Sequence, residues 1–195
     1  TMLDLTRYQA IIFDMDGTLI DSMPSHNLAW QQTCAQYGYP FDDSYMHSLG
    51  GVPTDQTVVL LNEKYGLKHD VDTVAETKRK LWEQQALAPA IIPATVAVLR
   101  HYHGVLKLGV GTGAERSHAL SMLQQTALLP LVQTVVTACD VKHGKPDPET
   151  FLTVARQLDV APQHCVVFED TGIGQLAAQR AGMDCILVQQ GQLIY

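Results

Sequence analysis

Five short apolar runs recur along this chain, and their spacing constrains its fold more than any other feature. They are Ala10-Ile11-Ile12-Phe13, Leu106 to Val110, Val135 to Ala138, Cys165 to Phe168 and Cys185 to Val188. Unbroken runs of this length suit strands covered on both faces, as in a parallel sheet. Helix signals lie between them. Asp147-Pro148-Glu149 reads as an N-cap, a proline at the first helical position and an acid in the first turn. Phe151, Val154, Ala155 and Leu158 then fall on one helical face. Residues 172 to 181 read as another helix, stopped by Gly182. Such alternation predicts an α/β fold with a doubly wound, five-stranded parallel sheet.

About ninety residues follow the first run before the next one, far more than a single crossover needs. This stretch reads as mostly helical, with segments His26 to Gln36, Asp55 to Tyr65 and Val71 to Gln85, punctuated by Gly38, Gly50-Gly51 and Gly66. We therefore expect residues 1–20 and 89–195 to form an α/β core and 21–88 an inserted helical cap. Hinges are expected near Ile20 to Pro24 and Ala86 to Pro93. Ligands of open α/β sheets bind beyond the carboxyl ends of the strands, where an insertion of this kind acts as a lid.

Composition narrows the partners. With 13 Lys plus Arg against 20 Asp plus Glu, the net charge is −7. That balance argues against nucleic-acid or anionic-lipid partners, which depend on clustered basic residues. The longest apolar stretch, Ala86 to Leu99, is too short to span a bilayer and is broken by Pro89 and Pro93. Thr1-Met2-Leu3-Asp4 lacks the basic start of a secretory signal. Cys34, Cys139, Cys165 and Cys185 form no CxxC pair, and Cys165 and Cys185 lie in apolar runs. A cytoplasmic globular protein is the expectation and, with no heptads or repeated apolar stripe, a monomer.

The chemistry concentrates at the strand ends. The first run leads straight into Asp14-Met15-Asp16-Gly17-Thr18. Two carboxylates two residues apart point to one side of an extended chain, and like charges that close call for a cation or a proton between them. Hard oxygen ligands suit Mg²⁺. A second acidic pair, Glu169-Asp170, ends another apolar run. Either pair alone could cap a helix, although the apolar strand leading into the first already disfavours that reading, and two pairs ending two parallel strands could converge on one metal. Val110-Gly111-Thr112-Gly113 offers a hydroxyl and backbone N–H donors ahead of a helix, an arrangement that suits an anion. Lys145 sits beside Pro146-Asp147-Pro148, placed to clamp a phosphate.

Asp14-x-Asp16-Gly17-Thr18, Thr112, Lys145 and Glu169-Asp170 resemble the four ordered motifs of the haloacid dehalogenase superfamily. The phrases Phe13-Asp-Met-Asp-Gly-Thr-Leu-Ile-Asp-Ser22 and Phe168-Glu-Asp-Thr-Gly-Ile-Gly174 resemble its β-phosphoglucomutase-like subfamily, which includes bacterial fructose-1-phosphatase-type sugar phosphatases. The resemblance covers essentially the whole chain. It implies that Asp14 attacks phosphorus and becomes an aspartyl phosphate, and that Asp16 is the acid–base. It implies Mg²⁺ held by Asp14, the backbone carbonyl of Asp16, Glu169 and Asp170, with Thr112 and Lys145 on the transferring group. Gly113 is expected beside the substrate. His26 and Lys78 fall where family members contact substrate or position the acid–base. The seven other histidines read as surface or helix-end residues.

Two departures separate hydrolysis from phosphate migration. β-Phosphoglucomutase grips a second phosphate with an Arg after its cap glycines and a Ser-Lys-Asn run after the second strand. Thr54 stands at the first position and Ala114-Glu115-Arg116 at the second. The loss of positive charge favours a phosphatase acting on a small sugar phosphate such as fructose 1-phosphate or 6-phosphogluconate, with Thr54 and Arg116 facing the substrate. A β-phosphoglucomutase-type isomerase is the alternative, and a non-catalytic binding protein on the same fold the remote one.

Overall fold

The computed structural model describes residues 2–85 and 89–195. The chain divides into two compact units, Thr1–Asp21 with Pro89–Tyr195, and Ser22–Ala88.

The first unit is built on strands β1 (Ala10–Phe13), β4 (Lys107–Gly111), β5 (Thr134–Val136), β6 (Cys165–Glu169), β7 (Asp184–Gln189) and β8 (Gln192–Ile194). They lie in the order β5-β4-β1-β6-β7-β8, parallel except for β8. Among the described residues the sheet thus has six strands rather than the expected five. The sixth returns antiparallel on β7 through Gln190 and Gly191, both at positive φ (50° and 75°), as a two-residue hairpin of the primed type requires. The chain runs outward from β1 through β4 to β5, then crosses to β6 and β7. The reversal of direction beside β1 marks the point where α/β sheets bind ligands.

Helices α5 (Pro93–Tyr102), α6 (Arg116–Gln125), α7 (Glu149–Leu158) and α8 (Gly172–Arg180) connect these strands. Alternation along β1 sends Ala10 and Ile12 to one face, where they meet Phe151, Val154 and Leu158 of α7 and Ala177 and Ala178 of α8. Ile11 and Phe13 take the other face, with the Phe13 ring stacked on Phe168 at 5.1 Å. Burying each such side chain contributes about 1.5–3 kcal/mol. The cap of α7 differs slightly from expectation. Pro148 is the N-cap, and Asp147, one residue earlier, accepts the Glu149 N–H through its side chain at 2.9 Å. Gly182, at φ 76°, follows the Ala181 C-cap of α8 as expected.

A two-stranded ribbon, β2 (Ile20–Asp21) with β3 (Ala90–Ile91), pairs the two points where the chain leaves and re-enters this unit. The expected first hinge, Ile20 to Pro24, is therefore strand followed by the first turn of a helix. Of the second, Ala86 to Pro93, residues 86–88 lie outside the described residues.

The second unit contains α1 (Met23–Tyr37), α2 (Asp43–Ser48), α3 (Thr54–Tyr65) and α4 (Val71–Glu83). Trp30, Cys34, Tyr39, Met46, Val58, Leu61, Val74 and Ala75 form its core. Asp42 and Asp70 cap α2 and α4 through their side chains. Among the described residues no helix is long and apolar enough to cross a membrane.

Candidate active site

Strand register assembles the centre. Phe13 pairs with Phe168 on β6 and with Val110 on β4, so the next residues, Asp14, Glu169 and Gly111, emerge side by side. The Asp14 N–H still donates to Phe168 O at 3.0 Å, which holds the first acid in line with the strand. Asp14 is 6% and Glu169 1% exposed.

Burying carboxylates this close together requires compensation, and Lys145 supplies part of it. Its Nζ donates to Asp14 Oδ1 and to Glu169 Oε2, each at 2.8 Å. The loop carrying Lys145 is itself fastened. Glu149 Oε2 accepts from the N–H groups of Lys142 (2.5 Å) and His143 (3.4 Å), and Asp147 N donates to Gly144 O at 3.0 Å. The ammonium also sits 4.8 Å from the centroid of the buried Phe151 ring.

The other oxygen of Glu169 accepts from Asp170 N (3.0 Å), Thr171 N (3.2 Å) and Thr171 Oγ1 (3.1 Å). Thr171, not Asp170, caps α8, accepting the Gly174 N–H. That leaves the Asp170 carboxylate free of capping duty, and it turns toward Asp14. The Thr18 hydroxyl lies between them, 3.1 Å from Asp14 Oδ2 and 3.0 Å from Asp170 Oδ1. A hydroxyl has one proton, so it can fully satisfy only one of these acids at a time.

Two glycines make the packing possible. Gly17, at φ 82°, turns the chain after the second acid, and a Cβ there would stand 2.2 Å from Asp170 Oδ2. A Cβ on Gly174 would stand 1.9 Å from Glu169 Cδ.

The electrostatics follow from this crowding. Burial, then the Glu169 charge, pushes Asp14 well above the usual carboxylate range despite Lys145. Burial, with the Glu169 charge behind it, raises Asp170 to about 6. Burial also works against the Glu169 anion, but the Lys145 charge and hydrogen bond and the Thr171 N–H outweigh it, and its pKa is lowered. Burial disfavours the Lys145 cation as well, yet Asp14 and Glu169 hold it protonated. One oxygen from each of Asp14, Glu169 and Asp170 lies within 4.8 Å of the other two. Raised acids around a single ammonium are what a further hard cation would relieve, and a set of carboxylate oxygens fits a divalent ion.

The remaining expected residues distribute as follows. Thr112 directly follows β4, 2% exposed, its N–H on Val136 O (2.9 Å) and its hydroxyl accepting from Ala114 N (3.1 Å). Gly113 occupies the turn before α6. Asp16 lies in the turn after β1, with His118 Nε2 at 3.7 Å from its Oδ1. Arg116 is held by Asp140 Oδ2 (2.7 Å) and Val135 O (3.1 Å), so its charge is already paired. In the helical unit, Lys78 Nζ is 2.8 Å from His26 Nδ1, and the His26 ring stacks on Trp82 at 5.6 Å. Thr54 opens α3.

Sequence reasoning passed over Thr18 and His118. The signal for Thr18 was its place inside the acidic turn. That for His118 was weaker, a histidine in the first turn of the helix after a glycine-rich strand end.

Residues 11–188 match the family described as haloacid dehalogenase-like hydrolase. The chain belongs to that family. It is 38% identical to the fructose-1-phosphate phosphatase YqaB of Escherichia coli over 94% of this chain and 97% of that protein. It is 35% identical to the validoxylamine A 7′-phosphate phosphatase of Streptomyces hygroscopicus subsp. limoneus, over 92% and 84% of the two chains. Among solved structures, β-phosphoglucomutase from Clostridium difficile superposes with a TM-score of 0.83 at 25% identity, over 94% of this chain and 85% of that one. The strand-end acids thus sit in a hydrolase of the haloacid dehalogenase type, with a divalent-metal donor set as this family generally has.

Proposed function

We propose that this hydrolase is a Mg²⁺-dependent phosphatase that cleaves a small sugar phosphate, of the fructose 1-phosphate or 6-phosphogluconate type, through an aspartyl phosphate on Asp14. The support is the Asp14 carboxylate, buried at a strand end with one oxygen on Lys145 and the other near Thr18. The similarity to phosphatases along nearly the full chain points the same way.

In this reading an Asp14 oxygen attacks phosphorus while the bond to the sugar oxygen breaks, and Asp16 gives its proton to that oxygen. Asp16 then takes a proton from water as the water oxygen attacks phosphorus, and inorganic phosphate leaves Asp14. Splitting one displacement into two lets the same carboxyl serve as acid and then as base. Lys145 and the Thr112 hydroxyl bind phosphoryl oxygens, with Gly113 N–H beside them. Mg²⁺, held by Asp14, Asp170, Glu169 and the Asp16 carbonyl, would neutralise charge on the transferring phosphoryl group. Glu169 also has a second task, since its bond to Lys145 fixes that ammonium against Asp14. For His26, Lys78 and Thr54 the family resemblance is the ground for a role toward the sugar.

A mutase is the second reading, favoured by the superposition on β-phosphoglucomutase. The pairing of Arg116 with Asp140 speaks against it, because it leaves that guanidinium compensated rather than available to a second phosphate. The test is phosphate release from fructose 1-phosphate, 6-phosphogluconate, phosphoglycolate and β-glucose 1-phosphate, with and without Mg²⁺. Metal-dependent release from one of the sugar phosphates is expected. Accumulation of glucose 6-phosphate from β-glucose 1-phosphate without phosphate release would overturn hydrolysis.

A further inference from the structure

The turn after β1 fixes the backbone that carries Asp16. Met15 O accepts the N–H groups of Thr18, Leu19 and Ile20 at 3.2, 2.9 and 3.1 Å, and Gly17 N donates to Ile20 O at 2.8 Å. The Asp16 side chain beyond this pinned backbone is only 20% exposed, and it faces the His118 ring, itself 16% exposed. His118 Nε2 and Asp16 Oδ1 are 3.7 Å apart.

The imidazole is presented by rigid structure. His118 lies in the first turn of α6, three residues after the Glu115 N-cap. The strand end before that helix is pinned by Thr112 N on Val136 O, and Ala138 N donates to Ala114 O at 2.9 Å. An imidazole can direct a carboxyl through one ring nitrogen, without the fixed positive charge a lysine would impose. At 3.7 Å the pair is in contact but not hydrogen-bonded, and such contacts tighten when substrate is bound.

We infer that His118 is a positioning residue that aims the Asp16 carboxyl at the oxygen of the leaving group. The inference rests on the proposed acid role of Asp16. In the first step the Asp14–phosphorus bond forms, the bond from phosphorus to the sugar oxygen breaks with its electron pair on oxygen, and the Asp16 proton moves there. A sugar alkoxide needs that proton, whereas a nitrophenolate does not. Misaiming Asp16 therefore penalises sugar phosphates selectively, while a general loss of structure lowers turnover of both.

The experiment compares kcat/KM for the best sugar phosphate and for p-nitrophenyl phosphate in wild type, His118→Ala, His118→Gln and Asp16→Ala. This quantity covers only steps through the first phosphoryl transfer. For Asp16→Ala the ratio of sugar to aryl kcat/KM should fall by about 10²–10⁴, the usual contribution of a positioned acid. For His118→Ala it should fall by about tenfold, with partial recovery in His118→Gln, whose amide keeps a donor. A selective loss in Asp16→Ala with none in His118→Ala overturns the role of His118 and leaves that of Asp16 intact. Equal losses on both substrates in His118→Ala also overturn it, as a structural effect. No selectivity in Asp16→Ala overturns the acid role of Asp16, and the inference falls with it.

Discussion

Asp14 occupies a position that stability alone would not select. Burial and two neighbouring acids disfavour its charge, and Lys145 offsets that only in part. Sites built for reaction commonly carry such local cost. Replacing Asp14 by Asn keeps the shape and removes one of the crowded charges. Metal-free Asp14→Asn should therefore melt at or above the wild-type temperature while losing turnover by at least about 10³-fold, checked by thermal unfolding beside phosphate release. Lys145→Ala should do the reverse for stability. It strands Asp14 and Glu169 buried without their partner, a loss of about 3–5 kcal/mol that denaturant unfolding would read. At this scale the acids were legible because each ends an apolar run. Thr18 and His118 were not, because a hydroxyl in a turn and a histidine on a helix become informative only once the fold shows what they face.

Elements rather than single residues bring the acids together. The parallel register of β1 with β6 puts Asp14 beside Glu169, and capping of α8 by Thr171 leaves Asp170 to the site. Gly174 lies at the start of α8, where Glu169 folds against the helix. Gly174→Ala introduces a methyl into the space of the Glu169 side chain. It should lower turnover about tenfold or more by displacing Glu169 and with it Lys145, a change visible as loss of activity in a protein that still shows native circular dichroism. The strand ends were readable because buried parallel strands are apolar throughout. Strand β8 was not, since three half-exposed residues carry no period and Gln190 at positive φ gives no turn signal. Helix α5 escaped for a related reason, as the mostly apolar Pro93 to Leu99 part of it reads equally as a buried strand.

At the scale of the whole molecule, the chain divides into an α/β unit and a helical unit inserted into its sequence, and the sequence signal for such an insertion is the over-long gap between the first two apolar runs. The ribbon of β2 and β3 was not, because two residues on each side are too few to register as strands. Charge crowding in the core has a consequence for the entire fold. A cation bound by Asp14, Glu169 and Asp170 stabilises the folded chain by mass action, about 2.7 kcal/mol at one hundred times its dissociation constant. Thermal unfolding should show a rise in Tm with Mg²⁺ for the wild type and a much smaller one for Asp170→Ala. An equal rise in both would place the ion elsewhere. The central claim is that Asp14 carries the phosphoryl group. Rapid acid quench of the Mg²⁺-loaded enzyme with labelled sugar phosphate, followed by peptide mapping, tests it most directly. The account predicts label on the peptide containing Asp14 in the wild type and none in Asp14→Asn; label on another residue, or equal turnover in Asp14→Asn, would contradict it.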